Sequence, residues 1–111
     1  ADERGAGAGL GYNLNLPLPR GTDDAAFLAA LDTGLQRIAD FGADVIVVAL
    51  GLDAHENDPF KGFAVTTPGF ARIAAAIAGM GLPALIVQEG GYLQPDLGKN
   101  LTSFLTGWQG R

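Results

Sequence analysis

Apolar positions change period along this chain, and each change marks an element. Tyr12-Asn13-Leu14-Asn15-Leu16 alternates apolar with polar, the period of a half-buried strand, and Pro17 and Pro19 end it. Phe27, Leu28, Leu31, Leu35 and Ile38 then recur at helical spacing. Thr22 is the expected N-cap, Asp23 and Asp24 follow where a helix dipole favours acids, and Gly42 stops a helix over 23–40. The segment Val45 to Leu50 is apolar on both alternating faces and rich in β-branched residues, the mark of a strand covered on both sides in a parallel sheet; it ends at Gly51.

A polar loop runs from Asp53 to Lys61. Thr67-Pro68 supplies a cap and a first-turn proline for a helix bearing Phe70, Ile73, Ala74 and Ile77, closed by Gly79 and Gly81. Pro83 leads into a second buried strand, Ala84-Leu85-Ile86-Val87, then the loop Glu89-Gly90-Gly91-Tyr92. Leu97, Leu101, Phe104, Leu105 and Trp108 mark a last amphipathic helix, in which the aromatic residues are core by default. The predicted order is strand, helix, strand, helix, strand, helix. Two buried strands joined by a helical crossover imply an α/β layer with a parallel sheet and flanking helices. In such sheets ligands sit beyond the carboxyl ends of the strands, which are Gly51-Leu52-Asp53 and Glu89-Gly90-Gly91-Tyr92.

Composition narrows the function classes. With 111 residues there is room for one domain or part of a larger one, and 48% hydrophobic against 17% charged residues is the balance of a packed protein. The chain begins Ala1-Asp2-Glu3-Arg4 instead of Met, with a Gly-rich, polar first stretch, so it is expected to be a C-terminal piece of a longer protein. A net charge of −5 repels phosphate backbones, which disfavours nucleic acid as a partner. The longest apolar run, Val45 to Leu52, is too short to span a bilayer, and no signal-like start is present, so no membrane partner is expected. The absence of Cys leaves only oxygen and imidazole ligands for a metal and fits a cytoplasmic location. A homo-oligomer is left open.

Three segments carry candidate chemistry. Gly5-Ala6-Gly7-Ala8-Gly9-Leu10-Gly11 does not fit the G-x-G-x-x-G phosphate loop, because Tyr12 stands at the last glycine position and no strand precedes it. Asp53-Ala54-His55-Glu56-Asn57-Asp58 crowds three carboxylates and the only histidine into six residues. Like charges so placed are costly unless a cation or dipole offsets them. The residues alone leave a metal site and an ordinary acidic loop, with Asp58 ahead of Pro59 capping a turn, about equally open; His55 by itself is expected at the surface or the rim. Glu89-Gly90-Gly91-Tyr92 permits close backbone approach to a ligand and offers a phenol donor, or else is a glycine turn with Tyr92 packed on the sheet edge.

Taken together, Ala49-Leu50-Gly51-Leu52-Asp53-Ala54-His55-Glu56-Asn57-Asp58-Pro59 and Gln88-Glu89-Gly90-Gly91-Tyr92-Leu93 resemble the zinc-dependent histone deacetylase family, nearest to its bacterial histone deacetylase-like and acetylpolyamine amidohydrolase members. Gly9-Leu10-Gly11-Tyr12-Asn13-Leu14-Asn15-Leu16-Pro17-Leu18 is similar to the segment that precedes the corresponding helix in that family. The resemblance covers nearly the whole chain and implies the C-terminal portion of an arginase/deacetylase-like α/β domain. It implies a zinc cofactor, acylated lysine or polyamine substrates, and hydrolysis that releases acetate.

By the same resemblance Asp53 is the third zinc ligand, Tyr92 hydrogen-bonds the amide carbonyl and the tetrahedral oxyanion, and Gly90 and Gly91 leave room for the substrate channel. The family's Asp-x-His zinc pair lies on an upstream strand, so His55 is not counted as a ligand. The family's paired histidines, its general base and acid, have no counterpart here, and the piece alone is expected to be inactive. Two other readings stay in play: a noncatalytic α/β interaction module, and an arginase-like two-manganese hydrolase, which wants more clustered Asp and His ligands than this loop offers.

Overall fold

In the computed structural model, which describes residues 2–110, helices and parallel strands alternate. The elements are α1 (Asp24–Phe41), β1 (Ile46–Leu50), α2 (Thr67–Ala78), β2 (Ala84–Gln88) and α3 (Leu97–Gln109), with short 3-10 turns at Gly7–Gly9 and Leu52–Ala54. β1 and β2 pair in parallel, Ile46 opposite Ala84 through Leu50 opposite Gln88, with α2 as the crossover between them. This is the expected α/β arrangement with a parallel sheet flanked by helices. No helix among the described residues is long and apolar enough to cross a membrane.

The helix starts differ by one residue from the sequence expectation. Asp23, not Thr22, caps α1, its Oδ1 accepting from the Ala26 amide. Thr22, one residue earlier, directs its hydroxyl to the Pro19 carbonyl at 2.6 Å. Thr66, not Thr67, caps α2, its Oγ1 accepting from the Gly69 amide, with Pro68 in the first turn. In both cases the adjacent residues are chemically competent caps, and the helix starts one residue from the expected place.

The predicted strand at Tyr12–Leu16 is not formed. Alternation supplies faces but no neighbouring strand, and this segment instead lies by α1, with Leu16 against Gly34. Its asparagines turn back to Glu3: Asn13 Nδ2 donates to the Glu3 carbonyl and Asn15 Nδ2 to its carboxylate.

The core is a single cluster of Leu50, Leu52, Val65, Phe70, Ile73, Ala74, Ile77 and Phe104. Burying a side chain such as Phe104 contributes about 1.5–3 kcal/mol. α2 and α3 approach closely because Gly107 of α3 rests on the Ala71 carbonyl of α2. Trp108 stacks beside Phe104 and is only half-buried.

Coverage on both sheet faces, expected from the apolar runs, is found on one. Ile46, Val48, Leu50 and Ile86 meet the core, whereas Val47 and Leu85, paired across the opposite face, are 65% and 58% exposed. Among the described residues nothing packs on that second face deeply enough to bury it.

Candidate active site

The sheet does not stop where its strands do. The Glu89 amide donates to the Leu50 carbonyl at 2.9 Å, and the Leu52 amide donates to the Gly90 carbonyl at 2.8 Å. These two bonds carry the parallel ladder past β1 and β2 and fix the Asp53 segment beside the Gly90-Gly91-Tyr92 segment. The two loops singled out in the sequence are thus joined at the carboxyl edge of the sheet, where α/β proteins hold ligands.

Asp53 lies in the 3-10 turn that follows β1. It is half-buried, and no donor among the described residues hydrogen-bonds its carboxylate. Its Oδ1 sits against Gly51 and Gly90: a Cβ built on Gly51 would lie 2.6 Å from that oxygen, and one built on Gly90 would lie 2.5 Å from it. The carboxylate therefore occupies a cradle that only glycines leave open. A pinned carboxylate with no protein donor is a hard oxygen donor available to a cation.

Gly91 has φ +140°, a conformation that L side chains resist, and a Cβ there would also lie 3.0 Å from Leu52 Cβ. The chain can take this path past Leu52 only with glycine. It delivers Tyr92 to the outer side of the edge, where its ring packs edge to face on Phe60, centroids 4.8 Å apart. Tyr92 is 45% exposed and its hydroxyl makes no hydrogen bond among the described residues. Tyr92 thus packs on an aromatic partner, and its donor is unspent.

Phe60 itself is held by the turn that Asp58 caps. Asp58 Oδ2 accepts from the Phe60 amide at 2.8 Å, the turn-capping alternative of the two readings left open by the sequence, and Arg20 donates to the carbonyls of Phe60 and Lys61. Asp58 is nonetheless buried, with Oδ1 unpartnered among the described residues.

His55 is not at the surface or the rim, the positions expected of a lone loop histidine. It is 1% exposed, stacked on Phe70, because the backbone from Ala54 to Glu56 pairs with Val65 and draws the side chain inward. Every described ring nitrogen contact is to a neutral group: the Asn57 amide, Gln94 and Thr67. It does not join Asp53, and no three His, Cys, Asp or Glu residues converge as a metal-holding set among the described residues.

Behind the site, Asp24 joins α1 to α2. It accepts from the Thr66 amide at 2.8 Å, from Thr66 Oγ1 at 2.5 Å and from Arg72 at 2.8 Å. Burial raises its carboxyl, but the Thr66 hydrogen bonds and the Arg72 guanidinium together outweigh burial and hold it below the ordinary aspartate range.

Sequence reasoning missed Phe60 and Gln94, since neither stands in a pattern that separates it from a loop residue. A surface cleft of about 470 Å³ lies elsewhere. It opens at the amino end of β1 among Tyr12, Leu14, Phe41, Val45 and Val47 and has no carboxylate or imidazole in its walls. Its polar groups are the Tyr12 phenol, the Asn13 amide and the Arg37 guanidinium, which offer neither a metal-ligating oxygen anion nor a general base.

Comparison with known proteins bears on this geometry. A family described as "Histone deacetylase domain" matches residues 1–108. The chain is 48% identical over 107 residues to an acetylpolyamine amidohydrolase of Burkholderia pseudomallei, covering 96% of this chain and 31% of that protein. It is 44% identical over 110 residues to an acetylpolyamine amidohydrolase of Mycoplana ramosa, covering 99% and 32%. The chain thus spans about a third of the length of these relatives.

Among solved structures it superposes on a crystal structure of acetylpolyamine aminohydrolase from Burkholderia pseudomallei with a TM-score of 0.92 at 48% identity, covering 96% and 31%. It superposes on the HD domain of HDA15 with a TM-score of 0.90 at 28% identity, covering 99% and 32%. With nearly all of its length inside that family's domain and the two motif loops joined at one sheet edge, the chain belongs to the histone deacetylase family.

Proposed function

We propose that a full-length protein carrying this chain is a zinc-dependent amidohydrolase that removes acetyl groups from acetylated polyamines or acyl-lysines. The observation that carries the reading is the pairing, at one sheet edge, of a cradled carboxylate without a protein donor, Asp53, and a phenol with an unspent donor, Tyr92. The relatives named acetylpolyamine amidohydrolase support the substrate class. So does the charge of −5, which attracts a polyamine cation over several ångströms.

The residues present fit a share of a metal site. Asp53 offers the carboxylate oxygens, and its glycine cradle fixes where they point; the other ligands would come from outside the described residues. The chemistry zinc supplies when bound is Lewis-acid polarisation of the amide carbonyl. Tyr92 donates its hydroxyl to the same carbonyl oxygen and holds that donor as negative charge grows there, an effect worth about 10²–10³ in rate for one preorganised donor. Phe60 keeps the phenol ring in place during this change. Gly90 and Gly91 line the approach without side chains, leaving width for an extended aliphatic stem. Addition of water to the acyl carbon and cleavage of the C–N bond release acetate and the free amine.

The test is zinc content and turnover in the full-length protein. Asp53→Ala is expected to lose most of its zinc and its activity toward an acetylated diamine and an acetyl-lysine peptide. His55→Ala is expected to leave zinc largely in place. Full zinc occupancy and turnover in Asp53→Ala would remove Asp53 from the site and favour a noncatalytic role for this edge.

A further inference from the structure

His55 is the only histidine of the chain, is fully enclosed, and has no part in the chemistry above. Its hydrogen-bond partners are nevertheless ordered. The Asn57 backbone amide, at 3.2 Å from Nδ1, can only donate, so Nδ1 carries the lone pair. Gln94 faces the same nitrogen with its amide Nε2 at 3.4 Å, and its orientation is set because its Oε1 accepts from the Asp96 backbone amide at 2.8 Å.

The imidazole proton is therefore on Nε2, 3.3 Å from Thr67 Oγ1. Thr67 can accept it because its own proton goes to Asn100 Oδ1 at 2.7 Å. Backbone amides that cannot reverse pin the Nδ1 end of this relay, so one direction of hydrogen bonding runs from Asp96 through Gln94, His55 and Thr67 to Asn100.

The placement of this relay gives it a use. His55 lies two residues after Asp53, and Gln94 lies two residues after Tyr92. Between the two loops, the backbone bonds at Leu50–Glu89 and Leu52–Gly90 hold only the near side. On the far side the buried His55–Gln94 contact, at 3.4 Å, links the loops together with the more exposed Asn57–Asp96 bond at 3.5 Å and the Phe60–Tyr92 ring pair.

We infer that His55 is a positioning residue that sets the distance between the Asp53 loop and the Tyr92 loop through its Nδ1 acceptor and Gln94. The inference rests on the functional reading of Asp53 and Tyr92 above. It assigns to His55 no contact with substrate and no metal ligation. Partners that orient functional groups in this way are typically worth about 10–100-fold in activity or metal affinity.

Three variants of the full-length protein test it, His55→Asn, His55→Gln and Gln94→Leu, with backbone amide exchange of residues 89–96 and steady-state kinetics as readouts. Asn keeps an acceptor near the place of Nδ1; Gln reaches toward Thr67 and gives up that acceptor. His55→Gln and Gln94→Leu are expected to speed exchange of 89–96 and to lower kcat about tenfold or more, with KM changed less. The double variant should be no worse than either single change, since both cut one link. His55→Asn should recover protection of 89–96 and part of the lost kcat.

Unaltered exchange of 89–96 in Gln94→Leu would overturn the inference, as would a His55→Asn variant indistinguishable from His55→Gln. Should His55→Gln fail to fold, Gln94→Leu decides, because Gln94 is a half-buried loop residue. If Tyr92→Phe leaves kcat unchanged, the functional reading falls by itself, and the exchange arm still decides whether His55 holds the two loops together.

Discussion

The carboxylate of Asp53 fills the space that a side chain on Gly90 would occupy: a Cβ built on Gly90 lies 2.5 Å from Oδ1 and 2.6 Å from Cγ. The atoms in the way are the end of a short side chain, so a methyl group would turn the carboxylate aside before it moved the backbone. Gly90 is absent from the positive-φ residues, and its backbone accepts alanine.

Gly90→Ala therefore separates function from stability. Reduced freedom of the unfolded chain adds about 0.4–1 kcal/mol to stability, which offsets the local crowding; on the proposed role of Asp53, its displacement is expected to weaken zinc binding about tenfold or more. Urea unfolding and zinc titration of the full-length variant check this. A large stability loss with zinc binding intact would show that the loop, not the carboxylate, yields.

Tyr92→Phe removes one oxygen and keeps the ring on Phe60. It is expected to fold and bind zinc normally, while kcat falls by about two to three orders of magnitude and KM changes far less. Phe60→Ala removes the ring's support instead; an edge-to-face pair is worth about 0.5–1.5 kcal/mol, so kcat should fall by roughly tenfold or less. Near-normal kcat in Tyr92→Phe would return the phenol to a packing role.

Asp24→Asn leaves the Thr66 hydroxyl and Arg72 with an amide nitrogen in place of a charged acceptor. Hydrogen bonds to charged groups contribute about 1.5–3 kcal/mol, and the Arg72 arm, 55% exposed, adds little more. A loss of about 2–3 kcal/mol near neutral pH is expected. Because the folded carboxyl lies below its ordinary value of 3.8, the ionised form stabilises the fold above that value, and this contribution is lost as pH falls through the lowered folded value. The gap between the parent and Asp24→Asn in urea unfolding should be full near neutrality and close below that range. A gap independent of pH would assign the loss to packing.

Gly107→Ala sets two effects of opposite sign against each other. Helix propensity favours alanine by about 1 kcal/mol. The added Cβ would overlap the Ala71 carbonyl, however, and forcing α2 and α3 apart costs about 1–3 kcal/mol. The steric cost wins, and urea unfolding should show net destabilisation. A more stable variant would mean that the helices part without loss.

The sequence alone carried the α/β order from β1 to α3, because apolar periodicity is a property of neighbours along the chain and needs no partner to be read. It also placed Asp53 and Gly90-Gly91-Tyr92 at the carboxyl ends of two strands whose parallel pairing follows from the crossover. What depended on a distant partner had to come from the tertiary structure. Tyr12–Leu16 alternates like a strand yet pairs with none, and the helices are capped by Asp23 and Thr66, each beside the residue expected from the sequence.

His55 reads as a loop residue, but pairing of its backbone with Val65 encloses it. The cradle around Asp53 was equally hidden, since Gly90 is 37 positions away in the chain and touches the carboxylate only after β1 and β2 align. Patterns along a chain report which side chains want to be buried or aimed; only the packed fold settles what they meet.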